Sequence, residues 1–196
     1  MKIYDCFSYW DEDLLLDLRL NVLNNFIDYF VIVEGNKTWQ NNFKKLRFDI
    51  NKFSKFKKKI IYIPVTDMPD GDNPYLRENF QRNCISRGLK NSSKDDLIII
   101  SDLDEIPNPE AINDFKVDMK YAVFKQKHFY YKINLQSQKN PFWFGSRICV
   151  KKFISLGNLD IRSISSNRSS RIDCNSANRC VWLRSLANFK SSNVTG

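Results

Sequence analysis

The sequence predicts an α/β fold in which a mostly parallel β-sheet carries helices on both faces. Short apolar runs at residues 3–9, 29–33, 60–65 and 97–101 recur through the first half of the chain. Between the first pair and between the last pair, apolar residues fall at helical spacing. A strand–helix–strand–loop–strand–helix–strand order is the pattern of a parallel sheet wound on both sides.

Each element follows from its residues. Residues 3–9 are apolar and aromatic with no dominant helix former, which suits a strand. Trp10-Asp-Glu-Asp opens a helix, its acids lying in the first turn where the helix dipole favours them. Leu14, Leu15, Leu18, Val22 and Phe26 recur at three- and four-residue spacing and predict its buried face. Residues 29–33 (YFVIV) suit a strand covered on both sides, ending at the turn Glu34-Gly-Asn. The basic stretch 35–58 reads as loops and a short helix. Pro64 marks the third strand as an edge or an end.

After the turn-rich segment 67–74, residues 75–87 form a helix with Leu76, Phe80, Cys84 and Ile85 on one side. Arg77, Gln81 and Arg82 occupy its other side, and of the two arginines Arg82 is the one expected to face a cleft. Residues 97–101 give the fourth strand, and Pro109 starts another helix. Residues 121–125, 128–135 and 146–150 are further strand candidates.

The bulk numbers narrow the function classes. The chain has 196 residues, 42% of them hydrophobic, enough for the core of one ordinary domain. No apolar run approaches ~18 residues, so no membrane span is expected. The N-terminus lacks a secretory pattern, and a cytoplasmic protein is the expectation. Five cysteines at wide spacing, no C-x-x-C and a single histidine predict reduced thiols and exclude a zinc-finger pattern. The net charge of +9 arises from residues 44–59 and from the tail, but no nucleic-acid-binding signature accompanies it, so no nucleic-acid partner is expected. The division expected is a domain over 1–160 and an atypical or poorly ordered Ser/Asn/Arg-rich tail over 161–196.

Residues 95–110, DDLIIISDLDEIPNPE, place Asp102, Asp104 and Glu105 at the carboxyl end of the fourth strand, where sheets of this kind bind ligands. In an extended segment Asp102 and Asp104 would share a face. Two carboxylates so placed suit a hard divalent cation, Mn²⁺ or Mg²⁺, which takes its other ligands from water and substrate phosphates. The same pattern also occurs as a solvated turn or helix cap.

The stretch IIISDLDEIPNPEA resembles the signature of glycosyltransferase family 17. That family includes the enzyme adding the bisecting β-1,4-linked N-acetylglucosamine to the core mannose of N-glycans. The resemblance continues through IYDCFSYWDEDLLLDLRLNVL, DYFVIVEGNKTW, KKIIYIPV, RENFQRN, YAVFKQKHFYYKINL and PFWFGSR, covering about residues 2–150 in order. It implies a GT-A type fold with a Rossmann-like sheet, a D-x-D metal site, a nucleotide-sugar donor (UDP-GlcNAc) and a glycan acceptor. The family's Gly-Trp-His-Phe-like and Ser-Phe-x-His-like segments have no counterpart after residue 150.

The resemblance assigns Asp104 as a direct metal ligand and Asp102 as a ligand or ribose contact. Glu105 would orient metal-bound water or a substrate hydroxyl, making Asp104 and Glu105 the catalytic candidates. Glu34 at the second strand's end and Phe7 would contact the nucleotide, Arg82 the diphosphate, and Trp143 would stack on a sugar ring. His128 suits aromatic packing better than a role as ligand or base. Two other readings share these features: a degenerate domain that binds a nucleotide sugar without turnover, and a D-x-D phosphatase. Binding without transfer would mark the first, and phosphate release from a simple monoester the second.

Overall fold

In a computed structural model, residues 1–129, 135–154, 170–173 and 181–183 are described. The chain begins with β1 (Ile3–Ser8), α1 (Asp13–Leu23) and β2 (Tyr29–Gly35). A 3₁₀ segment at Ile50–Phe56 leads to β3 (Ile60–Val65), and α2 (Pro74–Asn83) and the short α3 (Ile85–Gly88) lead to β4 (Leu97–Ser101). Then come β5 (Glu105–Ile106), β6 (Tyr121–Phe129), β7 (Phe142–Trp143), β8 (Arg147–Val150), β9 (Ser170–Asp173) and β10 (Val181–Leu183).

The sheet order begins β3-β2-β1-β4 with all neighbours parallel, then continues through antiparallel β8 to β6. This is the Rossmann-like α/β arrangement of a GT-A type fold, and its 3-2-1-4 order puts a topological switch point between β1 and β4. β3 is the edge, which explains how Pro64 is tolerated opposite Glu34. The amino-terminal half of β6 lies between β8 and β9, and its other half pairs β7 and β10.

Alternation along the central strands divides the core between two faces. Phe7, Phe30, Ile32, Leu97, Ile99 and Ile148 pack with Leu16, Leu20 and Leu23 of α1 and with Phe53 and Phe56. Tyr4, Cys6, Val31, Val33, Ile98, Ile100 and Cys149 pack with Cys84, Ile85 and Leu89 on the other side. Gly88 lets α3 sit directly on β2, since a Cβ there would lie 2.5 Å from Val31 Cγ1.

In α1 the face turned inward differs from the one its spacing predicts. In the second helical stretch Phe80, Cys84 and Ile85 pack on the core as expected, and two polar residues are buried as well. In α1 the buried row is Leu16, Arg19, Leu20 and Leu23, whereas Leu14 is 86% exposed and Leu18 and Val22 face solvent. The inward row has equally good helical spacing, but it contains a charge that only a tertiary partner can make tolerable. In α2 the buried residues are Arg77 and Gln81, and Leu76 is exposed. Arg77 donates to the carbonyls of Trp39 and Gly71, and Gln81 Nε2 donates to Val33 O at 3.1 Å. These polar side chains are tolerated in the interior because backbone carbonyls accept their hydrogen bonds.

The helix expected at Pro109 is a 3₁₀ turn over Glu110–Asp114. Of the strand expected at 128–135, the first two residues belong to β6, and residues 130–134 lie outside the described residues. Cys6, Cys84 and Cys149 are buried free thiols; Cys174 and Cys180 lie outside the described residues. Among the described residues no helix is long and apolar enough to cross a membrane.

Candidate active site

The carboxyl end of β4 lies beside that of β1, at the switch point where α/β sheets place ligands. Because β8 runs antiparallel to β4, it brings Arg147 and the preceding Gly145-Ser146 to this same end. Arg82, Ile100, Ser101, Asp102, Glu105, Gly145 and Arg147 line an open cleft there.

Asp102, Asp104 and Glu105 do not continue β4 in extended form. The chain turns, with Glu105 N donating to Asp102 O at 3.1 Å, so the shared-face geometry expected of an extended D-x-D does not apply. The cause lies beneath the turn. Leu103 is buried in the core, and Arg19 reaches up from α1 to donate to the carbonyls of Asp102 (3.0 Å), Leu103 (3.0 Å) and Glu105 (3.2 Å). The Arg19 guanidinium also forks onto Asp5 at 2.8 and 2.7 Å and donates to Ser101 Oγ at 2.5 Å. Both charges of this pair are fully buried.

Above the brace, the acids occupy different environments. The Asp102 side chain is 42% exposed and accepts from Arg82 Nη2 at 3.1 Å. Arg82 also pairs with Glu78 one turn earlier on α2. Against the pull of burial, these two carboxylates hold the Arg82 guanidinium above its ordinary pKa. Glu105 is buried, with one oxygen taking the Asp102 N–H (2.9 Å) and the other the Trp143 indole N–H (2.6 Å). Burial, with the charges of Asp102 and Asp104 adding, pushes its carboxyl up to about 7, against the lowering effect of those two hydrogen bonds.

Gly145 makes this contact possible. A Cβ at that position would lie 1.9 Å from Glu105 Oε1 and 2.3 Å from Trp143 Nε1. Ser146 Oγ donates to Glu105 O at 2.8 Å, tying β8's approach to the turn. Trp143 keeps 39% of its surface exposed beside the cleft's Glu105 and Gly145, with the His128 ring 5.8 Å away at 45°. His128 itself is buried and donates from Nδ1 to Asn140 O at 2.9 Å.

Two expected nucleotide contacts sit elsewhere. Phe7 is fully buried, its ring 4.5 Å from the Arg19 guanidinium, so it supports the brace and does not reach the cleft. Glu34 is also fully buried: its carboxylate takes the Lys44 ammonium, the backbone N–H groups of Arg47 (2.8 Å) and Phe48 (3.0 Å), and the Tyr62 hydroxyl (2.9 Å). Its position at the end of β2 is as expected, but its oxygens are committed to the loop that follows.

Arg19, Gly145, Ser146 and Arg147 escaped the sequence reading. Arg19 left one signal, a charge on a row otherwise made of Leu16, Leu20 and Leu23. The other three lie inside PFWFGSR, where nothing local distinguishes them.

Asp102 and Asp104 offer hard oxygen donors on a turn held from below, at the ligand-binding end of the sheet, and this donor chemistry fits Mn²⁺ or Mg²⁺. No group of three His, Cys, Asp or Glu assembles among the described residues. A cation held by these two carboxylates would have to take its further ligands from water or from a bound phosphate.

Residues 1–190 match the profile of "Glycosyltransferase family 17". The human and rat proteins named "Beta-1,4-mannosyl-glycoprotein 4-beta-N-acetylglucosaminyltransferase" are each 31% identical over 109 residues. That match covers 50% of this chain and 20% of the relative, so the chain spans about a fifth of the length of these curated relatives. Among solved structures, an active-site mutant of LgtC has a TM-score of 0.43 at 9% identity, covering 79% of this chain and 60% of that one. The Francisella tularensis 2-C-methyl-D-erythritol 4-phosphate cytidylyltransferase has a TM-score of 0.37 at 12% identity, covering 78% and 74%. The profile match extends past the acidic turn and through the strands that follow it, and on this ground the chain belongs to glycosyltransferase family 17.

Proposed function

We propose that this chain transfers N-acetylglucosamine from UDP-GlcNAc to a hydroxyl of a glycan acceptor, in a metal-dependent reaction with inversion. The observation that carries the reading is the acidic turn at the switch-point end of β4, held from below by Arg19 and flanked in the cleft by Arg82 and Arg147. The names of the curated relatives supply the sugar and the acceptor class.

In this reading Asp104 and Asp102 hold the divalent cation, and Arg82 and Arg147 offer guanidinium groups to the diphosphate. The cation, when bound, neutralises charge on the departing diphosphate. Arg82 keeps Asp102 in place through its 3.1 Å contact before substrate arrives. Glu105 acts by position, since its oxygens hold the backbone of Asp102 and the indole of Trp143. The exposed face of Trp143 offers a sugar ring an apolar aromatic surface. The acceptor oxygen attacks the anomeric carbon as the bond to the diphosphate oxygen breaks, and a carboxylate takes the acceptor proton.

Incubation of the purified chain with UDP-GlcNAc, Mn²⁺ and a mannose-terminated glycan tests this. Release of UDP matched by a glycan heavier by one N-acetylhexosamine is the expected result. UDP binding without turnover would replace it with a nucleotide-sugar-binding domain, and no response to any nucleotide would overturn it.

A further inference from the structure

We infer that the Arg19–Asp5 pair is the positioning device of the acidic turn, fixing the backbone from which Asp102 and Asp104 project. The inference rests on the proposed metal-dependent reading of this turn, but its geometry stands independently. Arg19 has five N–H groups, and six acceptors converge on them: both oxygens of Asp5, Ser101 Oγ and the carbonyls of Asp102, Leu103 and Glu105. The acceptors come from β1, from the last residue of β4 and from the turn itself. A single side chain thus ties together the two strands that flank the switch point and the loop that leaves it.

Packing alone does not call for this residue. Arg19 occupies a row with Leu16, Leu20 and Leu23, where an apolar side chain would fill the space without the cost of burying a charge. Its charge is balanced by Asp5, so the brace places no net positive charge beneath a cation site. The Phe7 ring lies 4.5 Å from the guanidinium and limits its tilt. The shape of the guanidinium is essential: its planar fork reaches Asp5 on one edge and the turn carbonyls on the other. The compact ammonium of lysine, with three donors on one atom, cannot span both.

Arg19→Lys is the test, because it keeps charge and approximate length while removing the fork. Two readouts follow it. Amide hydrogen exchange is measured at Asp102 and Glu105, each hydrogen-bonded within the turn, and at the core strands β1 and β4. Exchange at the two turn amides should quicken by about tenfold or more while β1 and β4 keep their protection. Mn²⁺ affinity, followed by electron paramagnetic resonance, should fall by about 10-fold or more, as when residues that orient metal ligands are lost. kcat should fall further than KM for UDP-GlcNAc rises.

A uniform rise in exchange across all strands with unchanged Mn²⁺ affinity would assign Arg19 a merely structural role and overturn the inference. Should Arg19→Lys not fold, Ser101→Ala removes one acceptor and should shift both readouts in the same direction; no change in either would overturn the inference. If the native chain binds neither Mn²⁺ nor UDP, the proposed function fails. The contrast in exchange between turn and strands then decides the brace by itself.

Discussion

Two strands of the parallel sheet end in acids, and the two ends behave oppositely. At the end of β2, Glu34 is fully buried and every described contact of its carboxylate is to the protein's own Lys44, Arg47, Phe48 and Tyr62. At the end of β4, the backbone is the part that is satisfied, by Arg19, and the Asp102 carboxylate remains 42% exposed beside Arg82. The first acid organises a loop. The second end is organised from below, and Asp102 lines the cleft. In this protein the strand-end acid that stays partly exposed is the one whose backbone another side chain holds.

Substitutions can break this contrast. Glu34→Ala should lower the stability of the fold by about 3–5 kcal/mol, because it leaves the Lys44 ammonium buried without its partner and two backbone N–H groups unmet. Urea unfolding measures this, and the UDP affinity of the protein that remains folded should be unchanged. Asp104→Ala should do the reverse. Turnover should fall about 10²–10³-fold or more with the melting temperature unmoved, as calorimetry and a donor-hydrolysis assay would show. If instead Asp104→Ala unfolded the protein and Glu34→Ala abolished nucleotide binding, the two ends would have been assigned the wrong way round.

Gly145→Ala sharpens the comparison, since it disturbs the acidic turn by packing alone. A Cβ 1.9 Å from Glu105 Oε1 must push the carboxylate or β8 away. The expected cost is about 1–3 kcal/mol, with a loss of activity that exceeds what the unfolded fraction explains. The smallest effect should come from Leu18→Ala on the outward face of α1, within about 0.5 kcal/mol by thermal melting.

The sheet was legible because its strands are short apolar runs with turn residues between them, a signal that depends only on local sequence. The acidic cluster was legible because it follows the most aliphatic of those runs. The inward face of α1 and the buried polar residues of α2 were not. Five leucines crowd positions 14–20, so two rows fit the helical period equally well, and the choice fell to Arg19 finding Asp5 and the turn carbonyls. The burial of Arg77 and Gln81 was hidden for a related reason: it depends on the carbonyls of Gly71, nearby in the chain, and of Trp39 and Val33, which lie 38 and 48 residues away in sequence. The commitments of Glu34 and Phe7 were likewise set by tertiary neighbours, Lys44 and Arg19, that spacing does not reveal.

In the proposed reaction the turn after β4 couples a divalent cation to a nucleoside diphosphate. Titration calorimetry of UDP into the native chain and into Asp104→Ala, each with and without Mn²⁺, tests it most directly. Mn²⁺ should tighten UDP binding about tenfold or more in the native chain and leave it unchanged in the variant. Equal tightening in both would contradict it, because the cation would then be held somewhere other than this turn.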